Sequence, residues 1–131
     1  MLTDQQRVRS ELLSMLGTPA TDIDAARRDA LRSALRRWRS AIAPEHVGLP
    51  ARRRRRSGLS GADVAELAGL SLCWYSQLES GSAKQHCSSR TLDRIANALQ
   101  LADVDRAMLQ ILARPEVFRS LRVLVATPSP N

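Results

Sequence analysis

The sequence predicts an all-α fold, and three observations carry that expectation. Apolar residues make up 44% of the 131 positions, yet Trp38, Trp74, Tyr75 and Phe118 are the only aromatic ones, so Leu, Ala, Val and Ile must build the core. Those residues recur at three- and four-residue intervals, the period of a helix that buries one face. No two alternating apolar runs are joined by a hairpin turn, and no segment repeats. A chain of this length fits one compact domain with a terminal extension.

The elements follow in order. Residues 4–16 set Val8, Leu12, Met15 and Leu16 at helical spacing, and Gly17 with Pro19 closes this short, peripheral helix. Thr21 or Asp22 then offers a cap for a stronger helix reaching about Ile42. Leu31, Ala34, Leu35, Trp38 and Ile42 form its apolar face, while Arg28, Arg32, Arg36 and Arg39 line another, expected to be exposed. The proline-bracketed stretch APEHVGLP, 43–50, reads as an irregular connector.

Ser60 caps a short helix with Val64, Ala65, Leu67 and Ala68; Gly69 stops it; Ser71 caps the next, through Leu72, Tyr75 and Leu78 to Gly81. After the polar loop SAKQHC, Ser88 precedes an amphipathic helix bearing Leu92, Ile95, Ala96 and Leu99. Asp103 is expected to cap the following helix, with Val104, Met108, Ile111 and Leu112 inward. Pro115 opens a last helix carrying Val117, Phe118, Leu121, Leu124 and Val125. The expected organisation is an N-terminal extension over 1–20, a domain over 21–113, and a C-terminal helix with a frayed tail over 114–131.

The net charge of +7 suggests a polyanionic partner, and its distribution says more than its total. Residues 25–60 hold eleven Arg against Asp29 and Glu45, a local charge of +9 that leaves −2 for the remainder. Nineteen of the twenty basic residues are Arg, which suits bidentate phosphate contacts, although a GC-rich genome produces the same bias. Two cysteines without a C-x-x-C, no secretory-type apolar leader and no membrane-length apolar run point to a reduced, cytoplasmic protein. His46, His86, Cys73 and Cys87 lack ligand spacing, so no metal or cofactor is expected. No nucleophile–base pair, paired carboxylates or glycine-rich phosphate loop suggests catalysis.

Residues 61–80 meet the demands of a helix-turn-helix. Ala65 is a small residue where the second helix must cross closely, and Gly69 tolerates the turn. Val64, Ala68, Leu70, Tyr75 and Leu78 are the apolar positions that join the pair. The segment LAGLSLCWYSQLESG followed by SSRTLDRIANALQL resembles the Xre, or lambda-repressor-like, regulators of bacteria. More narrowly, the Arg-bearing helix, the connector APEHVGLP and the segment RRRRRSGL resemble the MmyB-like branch, over about residues 30–113. The resemblance implies a five-helix lambda-repressor-like domain, here with an extra N-terminal and a C-terminal helix, that binds operator DNA as a homodimer. That branch commonly continues into a PAS-like ligand-binding domain, whereas this chain ends soon after PEVFRSLRVLVATPSPN, so the expectation is a DNA-binding domain without it, either a stand-alone regulator or a fragment. The branch usually carries basic residues where this chain has Ser60 and Gly61, and Arg where it has Ser82.

The expected function is sequence-specific transcription regulation, with the helix over 71–80 in the major groove. Leu72, Cys73, Ser76 and Gln77 are its groove-facing positions. Gln77 is the strongest base reader, because its amide can pair bidentately with adenine; Leu72 and Cys73 either touch thymine methyls or cover the helix start. Ser60, Gly61 and Ser71, at helix starts, and Lys84, in the following loop, are candidate phosphate contacts. Arg52, Arg53, Arg54, Arg55 and Arg56 either track the backbone or reach a minor groove. Tyr75 is expected in the core, with Trp74 directed at the next helix or the sugar-phosphate chain. The alternative is a protein-interaction module on the same fold, an antitoxin or accessory subunit whose terminal helices hold a partner protein.

Overall fold

The structure is a computed structural model that describes residues 23–48, 58–81 and 87–126, with side chains to 122, together with positions 6 and 10. Apart from positions 6 and 10, which are helical, the expected helix over 4–16 lies outside the described residues, as do Thr21, Asp22, Arg52 to Arg56, Lys84, His86, the side chains of Leu124 and Val125 and the C-terminal tail. Among the described residues every regular element is helical and none is a strand.

Helix α1 spans Ile23–Ser40 and buries Leu31, Ala34, Leu35 and Trp38. It ends two residues before Ile42, where Ala41 and Ile42 donate to the carbonyls of Trp38 and Arg39, three residues back, and tighten the last turn. The connector is not wholly irregular, since Pro44–Val47 form one 3₁₀ turn with buried Pro44 at its start. The chain re-enters at Gly58, packed so closely on the end of α1 that a side chain there would collide with the Ser40 backbone. Leu59 N–H donates to the Arg39 carbonyl at 2.8 Å, fixing this return.

Helix α2, Gly61–Ala68, and α3, Leu72–Ser80, are joined by Gly69, Leu70 and Ser71. Gly69 takes φ 69°, ψ 35°, and Leu70 N–H donates to the Ala65 carbonyl at 2.8 Å, closing α2 in a left-handed cap. Helices α4, Ser89–Ala98, α5, Asp103–Ala113, and α6, Pro115–Ala126, complete the order. Helix α2 packs on both α3 and α4, α1 packs on α3 and α5, and α5 packs on α4 and α6.

One core joins these helices. Leu35, Val64, Leu92, Ile95 and Leu109 are fully enclosed, each contributing roughly 1.5–3 kcal/mol of burial. Phe118 of α6 is buried in the same cluster. Two expectations about α5 are corrected. Its cap is Ala102 rather than Asp103, which is the first helical residue, and no side chain caps the start. Val104 is 43% exposed, because Met108, Leu109 and Leu112 define the inward stripe and Val104 lies off it.

Candidate nucleic-acid interface

Helix α3 separates its residues by face. Tyr75 and Leu78 are buried, whereas Leu72, Cys73, Ser76, Gln77 and Ser80 are exposed. At 100° per residue the exposed five fall within one arc of about 140°. Leu72 is 52% exposed, which apolar packing would not choose. The four base-facing candidates therefore share one solvent-facing surface, while Trp74 is half-buried against the core. Within the surface, Gln77 Nε2 donates to Cys73 Sγ at 3.6 Å, one turn earlier, and Ser80 Oγ donates to the Gln77 carbonyl at 3.1 Å.

The candidate phosphate contacts at helix starts are built by capping. Ser60 Oγ accepts from Asp63 N–H at 3.1 Å, and the Asp63 carboxylate accepts from Ser60 N–H at 2.9 Å, a reciprocal capping box. Ser71 Oγ accepts from Trp74 N–H at 3.0 Å. Gly61 is the first residue of α2; a Cβ there would lie 3.4 Å from the Tyr75 ring. Both serines stay exposed with their hydroxyls turned onto the helix ends.

The residues that set the pose of α3 were not apparent in the sequence. Arg39, expected on an exposed face, is only 5% exposed. Its Nη2 and Nε donate to the two Glu79 carboxylate oxygens at 2.7 and 3.2 Å, and its Nη1 donates to the Leu59 carbonyl at 3.2 Å. One guanidinium thus ties α1, the returning chain and the last turn of α3. Burial would raise the Glu79 carboxyl, but the Arg39 hydrogen bonds and the Arg39 and Arg36 charges outweigh it and hold its pKa below the ordinary value. The Tyr75 hydroxyl lies beside this pair without a hydrogen bond of standard geometry; burial, then the Glu79 charge, push its pKa upward. The signal available beforehand was the helical interval from buried Tyr75 to Glu79, which turns Glu79 partly inward and calls for a cation.

A second arginine is also internal. Arg27 Nη1 donates to the Leu112 carbonyl in the last turn of α5 at 2.7 Å, against the negative end of that helix, and its pKa is lowered chiefly by burial. Arg94 Nη2 donates to the Gly69 carbonyl at 2.9 Å, bracing the turn from α4.

Among the described residues no group of three or more His, Cys, Asp or Glu is placed to hold a metal ion, and no helix is long and apolar enough to cross a membrane. His46 and Cys73 are exposed and Cys87 is buried.

Comparison with known proteins agrees with this geometry. Residues 51–109 match the family model described as a helix-turn-helix domain, which covers α2 to α4 and most of α5. No curated protein and no solved structure matches the chain. The chain thus has an all-α helix-turn-helix fold.

Proposed function

We propose that this protein is a sequence-specific DNA-binding transcription regulator of the Xre type, from the MmyB-like branch, acting in the bacterial cytoplasm. The observation that carries this reading is the exposed face of α3. Neutral side chains project there from a helix whose opposite face and last turn are anchored in the core. A helix of this kind fits the major groove, which is about 12 Å wide. Gln77 pairs with an adenine edge, Ser76 donates to a base or an adjoining phosphate, and Leu72 and Cys73 meet thymine methyls. Ser60, Gly61, Ser71, Lys84 and Arg52 to Arg56 hold phosphates, a contribution that sets position and affinity rather than sequence.

Two copies on a palindromic site place their α3 helices one DNA turn, about 34 Å, apart. The match to a helix-turn-helix family supports duplex DNA as the partner, and nothing in the proposed chemistry calls for a cofactor or a catalytic residue.

Selection of bound duplexes from a random pool, followed by titration of the selected site, tests the proposal. Wild-type protein should prefer the selected duplex to a scrambled one, and Gln77→Ala should lose about 1–3 kcal/mol of discrimination at one adenine position. Unchanged base preference in that variant would remove the base-reading role, and failure to enrich any sequence would remove the function.

A further inference from the structure

Helix α1 lies across the C-terminal half of α3, and it brings arginines to the edge of the reading face. Arg28 Nη1 approaches the Gly81 carbonyl at 3.5 Å, Arg39 holds Glu79, and Arg36 Nε stands 3.6 Å from Glu79 Oε1. Between the two helices is a shallow open cleft of about 240 Å³. Arg32 and Arg36 line it from α1, Tyr75, Ser76, Glu79 and Ser80 from α3, and Gly61 from the start of α2.

We infer that this cleft is a phosphodiester clasp: Arg32 and Arg36 bind the DNA strand that passes the C-terminal end of α3. The inference rests on the reading of α3 as the groove helix. A helix inserted in the major groove has a phosphate wall on each flank. The cleft opens beside Ser76, on the side of the exposed face that adjoins Glu79, so a strand flanking the groove runs past it.

The charges are available to an incoming anion. Both Glu79 oxygens already accept from Arg39, so the longer Arg36 contact leaves a guanidinium that is 60% exposed and only partly neutralised. Arg32 is 46% exposed and pairs with Asp29, itself 70% exposed, at 2.8 Å; surface pairs of this kind contribute little and exchange readily for a phosphate. Ser76 adds a hydroxyl from α3, whereas the Ser80 proton is already donated to the Gln77 carbonyl. Guanidinium forks match phosphate geometry bidentately.

The test uses the wild-type chain, Arg32→Gln, Arg36→Gln, the double variant, and Arg119→Gln as an exposed arginine on α6, the helix that packs on α5. Affinity for the selected duplex and for a scrambled duplex is measured from 50 to 300 mM salt. Each α1 substitution should flatten the slope of log K against log salt by about 0.9, and the double variant by about twice that. Affinity should fall alike on both duplexes, with the ranking of sequences unchanged and thermal unfolding within a few degrees of wild type. Slopes in the α1 variants equal to that of Arg119→Gln, with wild type still binding its site, would overturn the clasp alone. Loss of sequence ranking in the α1 variants would also overturn it, since a phosphate contact carries no base information. A wild-type protein that binds no duplex would overturn the clasp and the DNA reading together.

Discussion

Replacing Glu79 by glutamine should destabilise the fold by about 3 kcal/mol at pH 7, the low end of the range for breaking a buried ion pair. Arg39 is almost fully enclosed, and two of its three hydrogen bonds end on the Glu79 carboxylate. Glutamine keeps the shape and one acceptor oxygen but leaves the buried cation without a counter-charge. The low end applies because Glu79 retains 13% exposure and Arg39 keeps the Leu59 carbonyl. For a domain of about 100 residues, a loss of this size lowers Tm by roughly 12 °C or more.

Urea unfolding followed by circular dichroism measures the difference, and its pH dependence identifies the cause. The folded Glu79 carboxyl titrates below its unfolded value of about 4.3, so its contribution is complete above that pH and is lost as pH falls through the folded value. The gap between wild type and Glu79→Gln should therefore narrow on acidification below about pH 4.5. Replacing both partners, Arg39→Met with Glu79→Leu, should cost less than either change alone, because no charge is left buried. A loss under about 1 kcal/mol at pH 7, or a gap that does not change with pH, would refute the role assigned to the pair.

Three further outcomes follow from local geometry. Gly69→Ala should lose at least about 1–2 kcal/mol in the same unfolding assay, since alanine resists φ 69° and its methyl displaces Arg94 from the turn. Gln100 occupies φ 54° while exposed, so Gln100→Gly should gain up to about 1 kcal/mol; no gain would show that this backbone is not strained. Exposed Cys73 should be alkylated in the native protein at pH 8. Cys87, whose thiol is pushed up to about 11 first by burial and then by Glu116, should react only after unfolding.

Much of this organisation was legible locally. The turn required Gly69 because a left-handed residue must end α2, and Ser60, Ser71 and Ser88 announced helix starts through their ability to satisfy free N–H groups. Helical periodicity placed Tyr75 and Leu78 inward and left Leu72, Cys73, Ser76 and Gln77 on the other side of α3. Where the cues were weak, expectation and structure parted. Asp103 resembles a cap by residue type, but the backbone turns helical one residue earlier, and Val104 lies just off the buried stripe.

The sequence by itself determined which of the described segments are helical, where α3 begins and which of its faces is neutral, because periodicity and capping act over three or four residues. The fates of the α1 arginines were decided only by tertiary structure. Arg39 is buried on Glu79, forty positions away, and Arg27 on the Leu112 carbonyl, eighty-five positions away, whereas Arg32 and Arg36 remain at the edge of α3. All four carry the same charge on one helix. What separates them is which neighbouring surface each meets when α1 crosses α3 and α5, and a buried guanidinium is retained only where a carboxylate or helix carbonyl waits to receive it.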